Sequence, residues 1–350
     1  MKTYCSVPAK LILSGEHAVL YQCPALSMAI DLPTHCWTEH QPNQPPLLHI
    51  ELCDFAQMHT LSFKEYRQQA LQIETRYQSF LQNQSTIQSV LTQPIDLILC
   101  TLFHFENQFK SHIKAIKPFS TGSWSFNIQS DTPIGRGLGS SAAVIIGLLG
   151  ALIKHHSLAV TSETLLQLAQ QVEARQHGHS SGIDPATLIY AGLLQYQMDQ
   201  PIQPIFSPPL NAWLIDTGKP ESSTGECVVA VQSLHQDNTA LWQSFRSTTE
   251  AIASAIQTEN PQQLHTGIIE NHRLLIQIGV VPTQIQHFIT ALHTHYQAAA
   301  KICGAGAISG EHAGVILCLS QSNPAELCQS YGYSCRAITL QHQGLTCEFI

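Results

Sequence analysis

The segment Pro133-Ile134-Gly135-Arg136-Gly137-Leu138-Gly139-Ser140-Ser141-Ala142-Ala143 constrains this chain more than any other. Three alternate glycines let a backbone take up positive φ and approach a ligand closely. Ser123–Gln129 before it reads as a strand, and Asp131–Gly139 as a loop. Ser140–His155 then reads as a helix, apolar nearly all round and hence buried. The first N–H groups of such a helix have no partner within it and point into the loop. With the helix dipole they make an anion site suited to phosphate. Ser140 and Ser141 add hydroxyls that can reach a phosphate oxygen or a Mg²⁺ ion, while Ala142 and Ala143 keep the first turn clear. The chain contains no GxxxxGK(S/T), so this is not a Walker A loop. A tight strand-to-helix turn is the competing reading, and the Ser-Ser-Ala-Ala continuation counts against it.

An anion bound there must be held locally, because the formal net charge is −8. The 16 basic residues form no run of the kind that tracks nucleic acid, so no nucleic-acid partner is expected. A length of 350 residues leaves room for two domains. Only 11% of residues are charged, but a 44% hydrophobic fraction argues against disorder. The longest apolar run, Ala142–Ile153, falls short of the roughly 20 residues that span a bilayer. The N-terminus lacks the apolar stretch of a signal peptide. The 11 cysteines are spread singly, with no CxxC pair and no zinc spacing, so free thiols in a cytoplasmic protein are expected.

Outside the loop, residues 3–14 read as a buried strand and Ala25–Leu32 as another. Helical spacing covers much of Ser62–Thr92, then Ile95–Phe109 and Thr161–His177. After Gly192, helices are expected over Thr224–Ser233, Asn238–Thr258, Pro261–Gly279 and Pro282–Ala300, with strands at Trp213–Asp216, Ala313–Leu319 and Ser334–Leu340. Lys10 interrupts the apolar strand Val7–Leu13, and a lysine is seldom buried without a partner. Glu173 and Asp184 bracket a turn shaped by Gly178 and Gly182, which could return Asp184 toward the end of the Glu173 helix.

Pro-x-x-x-Gly-Leu-Gly-Ser-Ser-Ala-Ala resembles the second motif of the GHMP kinases. Pro8–Tyr21, which includes Lys10 and Gly15-Glu16-His17-Ala18-Val19, resembles the first motif in the form that mevalonate kinases carry. Glu173…His177-Gly178-x-x-Ser181-Gly182-x-Asp184 is similar to their Glu…His-Gly-x-Pro-Ser-Gly-x-Asp, with Ser180 where proline is usual. Gln22 stands where a glycine usually follows Tyr21. Asp216-Thr217-Gly218…Ser223-Thr224 resembles a Thr-Gly…Ser-Thr segment, and Asn271–Leu275 a packing helix. Lys301-Ile302-Cys303-Gly304-Ala305-Gly306 resembles the third motif, but Ala307–Gly314 replaces its glycine run.

The resemblance implies an α+β fold of two domains with the active site in the cleft between them. An N-terminal ribosomal-protein-S5-like α/β domain would cover 1–192, and a C-terminal ferredoxin-like α+β domain 193–350. ATP would lie on Pro133, Gly135, Arg136, Gly137, Leu138, Gly139, Ser140, Ser141 and Ala142. Mg²⁺ would be held by Ser141 and Glu173. Lys10 and Asp184 would be catalytic, with Asp184 taking the hydroxyl proton as general base. Either of the two could carry more of the activation. Glu16, His17, Asp184, Thr224, Gly304 and Ala305 would face the substrate; Thr224 could equally be a helix N-cap. The implied reaction is phosphorylation of mevalonate, with phosphomevalonate kinase and then sugar kinase as alternatives within the class. A GHMP-fold sensor without turnover is the alternative outside enzymes. Family members are commonly dimers, so a homodimer is compatible with the resemblance.

Overall fold

The computed structural model describes residues 2–110, 119–178, 180–198, 200–208, 210 and 212–350. Strand β1 (Lys2–Ser14) alternates between buried and half-buried residues up to Val7, then is buried on both faces. The change marks where a second layer arrives. Cys5 and Val7 pack with the helices of the first half, whereas Ala9, Leu11 and Leu13 meet Ile252, Ile268 and Leu317 from the second.

β1 pairs with β2 (Ala25–Gln41), which extends well past the expected Leu32 because Thr34, Cys36 and Thr38 keep alternating inward. A hairpin of β3 (Leu47–Leu52) and β4 (Gln57–Ser62) follows, and β3 lies parallel to β5 (Ser123–Ser130). The first sheet has the order β12-β1-β2-β5-β3-β4, with β6 (Leu193–Tyr196) on β2 and β7 (Gln203–Ile205) on β6. Its helices are α1 (Phe63–Leu81), α2 (Pro94–Gln108), α3 (Ser140–His155), α4 (Ser162–His177) and α5 (Ile183–Tyr190). Ser62 and Glu65 form a capping box that starts α1. α3 runs against β1 and β2 and between α2 and α4, which is why it is apolar on every side. It lies so close that a Cβ on Gly147 would stand 2.5 Å from Cys36 Sγ.

The second sheet has the order β11-β8-β10-β9, antiparallel throughout: β8 (Ala212–Asp216), β9 (Ala299–Cys303), β10 (Val315–Leu319) and β11 (Ser334–Ile338). Helices α6 (Thr224–His235), α7 (Thr239–Gln257), α8 (Pro261–Gln277), α9 (Thr283–Tyr296) and α10 (Ala325–Ser330) complete this half. The helix expected over Pro282–Ala300 ends at Tyr296, where Gln297 turns left-handed and the fully buried stretch Ala299–Cys303 is taken up as β9. The sheets do not divide at 192: β6, β7 and β12 (Thr346–Phe349) all join the first sheet.

β12 pairs with β1 so that Cys347 lies opposite Cys5, and the two form a disulfide. That corrects the expectation of free thiols for this pair, which is separated by 342 residues and carries no local signal. The other cysteines are free. Among the described residues no helix is long and apolar enough to cross a membrane.

Candidate active site

Gly135, Gly137 and Gly139 all adopt left-handed φ, at 72°, 78° and 75°. Gly139 is the N-cap of α3, and no side chain caps that end, so the first N–H groups face the loop. A Cβ on Gly139 would lie 3.5 Å from both Asp184 Oδ2 and Lys10 Cβ. The loop therefore rests directly on those two residues, and the Lys10 amide fastens it by donating to the Leu138 carbonyl at 3.0 Å. Lys10 Nζ lies 2.6 Å from Asp184 Oδ1, with Lys10 buried and Asp184 reaching the cleft from the first turn of α5.

Glu173, near the end of α4, is buried beside them. Burial, and then the charge of Asp184, push its carboxyl well above the usual carboxylate range. Ser180 Oγ donates to Glu173 Oε2 at 2.6 Å and accepts from the Gly182 amide at 3.2 Å. Asp184 thus has the Lys10 ammonium as its partner, while Glu173 beside it is held by the Ser180 hydroxyl. Two neighbouring carboxyl groups disfavour each other's ionisation, and a hard divalent cation such as Mg²⁺ would let both ionise, so these oxygen donors fit the implied metal.

On the opposite rim, Glu16 is paired with the Lys301 ammonium, and both side chains are buried. Lys301 also donates to the Ile12 carbonyl at 3.1 Å, and Glu16 Oε2 has no hydrogen-bond partner among the described residues. His17 is buried and donates from Nε2 to the Ala305 carbonyl at 3.0 Å; burial lowers its pKa. Gly304 begins the turn that meets the phosphate loop, since a Cβ on Gly137 would stand 3.4 Å from the Cys303 carbonyl oxygen. Asn271 does more than pack: its Nδ2 donates to Ser14 Oγ at 2.9 Å, holding the end of β1. Thr224 is exposed as the first residue of α6, and the N-cap is Ser223 in a capping box with Glu226.

Arg136 points across the cleft, with Nε 2.8 Å from Asp216 Oδ1 at the end of β8. Beside the loop lies a cavity of about 380 Å³, lined by Phe55, Leu91, Ile134, Ser140, Ser141 and Val144 among others. Sequence reasoning gave Asp216 no role of its own and missed this cavity. Beyond the residues of the phosphate loop and α3, much of its wall comes from the β3–β4 hairpin and the segment before α2, neither of which carries a motif.

Residues 96–192 match the family model "GHMP kinases N terminal domain". Mevalonate kinase of Thermococcus sibiricus is 30% identical over 317 residues, covering 87% of each chain. The chain belongs to the mevalonate kinase family. Mevalonate kinase of Thermococcus gammatolerans is 28% identical, again over 87% of each chain. The fold is that of the solved mevalonate kinase of Methanococcus jannaschii, with a TM-score of 0.77, 19% identity and coverage of 97% and 98%. The L. major mevalonate kinase in complex with R-mevalonate gives a TM-score of 0.70 at 20% identity, covering 97% and 96%. The two-sheet α+β architecture is thus the GHMP kinase fold, and this member of the mevalonate kinase family is an ATP-dependent kinase.

Proposed function

We propose that this chain transfers the γ-phosphate of ATP to the C5 hydroxyl of (R)-mevalonate, giving 5-phosphomevalonate and ADP for isoprenoid synthesis. The observation that carries the reading is the Lys10–Asp184 pair seated directly under Gly139 of the phosphate loop. A hydroxyl held between that pair and the loop has a base on one side and a phosphate site on the other. Asp184 accepts the hydroxyl proton as the oxygen attacks the γ-phosphorus, and ADP departs along the loop. The Lys10 ammonium steadies Asp184 and the developing alkoxide. Glu173 and the Ser141 hydroxyl would hold Mg²⁺, which when bound neutralises charge on the phosphate oxygens. The purine of ATP fits the largely apolar cavity beside Ser140 and Ser141. His17, Glu16 and the Gly304–Ala305 turn form the wall left for the acceptor. The reaction draws on the cytoplasmic ATP pool, and we place the enzyme there.

Coupled ADP release with mevalonate, phosphomevalonate and galactose as acceptors tests the reading. Turnover should be confined to mevalonate. A preference for either other acceptor would overturn the substrate, and no turnover with any of them despite MgATP binding would overturn the enzyme itself.

A further inference from the structure

The cations around the cleft are nearly all spoken for. Lys10 is paired with Asp184, Lys301 with Glu16 and Arg136 with Asp216. A nucleoside triphosphate brings several negative charges into this space, and each of those cations already balances a carboxylate.

Among the described residues, Lys219 is the exception. It is exposed, and among the described residues no carboxylate lies within ion-pairing distance of it. Its Cε lies 3.9 Å from where a Cβ would stand on Gly135, so the side chain passes over the start of the phosphate loop. The turn that carries it is fixed at both ends. Asp216 Oδ1, which accepts from Arg136 of the loop, also accepts from the Gly218 amide at 2.9 Å. Thr217 Oγ1 donates to the Gly314 carbonyl at 2.8 Å. On the far side Glu221 accepts from His312 Nδ1 at 2.9 Å, and Ser222 Oγ accepts from the Ile308 amide at 3.2 Å. The altered segment Ala307–Gly314 is what clamps this turn. Lys219 sits between the two anchors, its backbone held beside the loop and its ammonium unspent.

We propose that Lys219 binds the phosphate chain of ATP, supplying the free positive charge that the paired cations of the cleft cannot. This deepens the nucleotide assignment made above and rests on it. An ammonium on phosphate makes a charge-assisted hydrogen bond, and its loss should cost about tenfold or more in affinity.

The test is calorimetric and needs no acceptor: binding of the magnesium complex of AMPPNP, and of adenosine, to wild type, Lys219→Met and Lys219→Arg. Lys219→Met should weaken AMPPNP binding at least about tenfold, leave adenosine binding unchanged, and be largely rescued in Lys219→Arg. Equal AMPPNP affinity in wild type and Lys219→Met overturns the proposal. So does an equal loss for adenosine, or an equal loss in both variants, because either would mark a structural effect. Failure of the wild type to bind AMPPNP would overturn the nucleotide reading and this inference together.

Discussion

At the scale of single residues, the positions where this chain departs from its family have physical compensations. Ser180 replaces a ring that would stiffen the turn before Asp184 with a hydroxyl that bonds Glu173 at 2.6 Å. The turn is then held by a side-chain hydrogen bond instead of a fixed φ. Gln22, in place of glycine, adopts φ of 60°, a conformation that costs a non-glycine residue roughly 1 kcal/mol. Its carbonyl accepts from Arg246 at 2.6 Å and Gln197 at 2.9 Å, which helps hold that geometry. Neither departure touches the base. Asp184→Asn keeps the shape of the side chain and its place under Gly139 but removes the proton acceptor. Its kcat should fall by about 10²–10⁴-fold while MgATP still binds. Near-normal turnover in a stopped assay would remove Asp184 from the base role.

At the scale of elements, what joins α1, α2 and α4 is a charge network and not a metal. Glu74, Cys100 and His104 bring possible ligand atoms within 4.8 Å of one another. Arg175, however, already grips both Glu74 oxygens, at 3.1 and 2.8 Å, and His104 Nε2 lies 3.1 Å from Glu74 Oε1. Burial and the Glu74 charge push the Cys100 thiol far up, so it sits beside this pair as a neutral thiol. Burial by itself would raise the Glu74 carboxyl, but the hydrogen bonds from His104 and Arg175 outweigh it and lower it to about 2. A depressed carboxylate stabilises the fold above its unfolded pKa, here the ordinary 4.5, and loses that contribution as pH falls through about 2. Stability should therefore decline between these values by on the order of 2 kcal/mol from this group, discounted for partial exposure. Urea unfolding of Glu74→Gln at several pH values should show a shallower decline than wild type across that window. Parallel curves would refute the linkage.

At the scale of the whole molecule, the chain closes on itself. β12 brings residues 346–349 back beside β1, and Cys5–Cys347 ties the two ends of the sequence together. Cross-linking residues this far apart in sequence restricts the unfolded chain strongly, and losing such a bond commonly costs about 2–5 kcal/mol. The strand pairing itself does not depend on the bridge, because the backbone bonds of β1 and β12 remain. Cys347→Ser should lower the midpoint of guanidinium unfolding while leaving ADP release intact. A midpoint equal to that of the oxidised wild type would show that the bridge adds no stability.

What the amino-acid sequence determined by itself is local chemistry. The phosphate loop, the helix Ser140–His155 that follows it and the turn from Glu173 to Asp184 are contiguous, so glycine placement, apolar periodicity and carboxylate spacing could be read without knowing the rest. Tertiary structure decided everything that joins distant segments. It set Lys10 against Asp184 under Gly139, buried Glu16 on Lys301 and bound Arg136 to Asp216. It also sent β6, β7 and β12 into the first sheet and paired Cys5 with Cys347. The physical reason is the same in each case. An ion pair, a strand partner or a disulfide is a property of two places at once, and periodicity along one stretch carries no information about which other stretch will cover it.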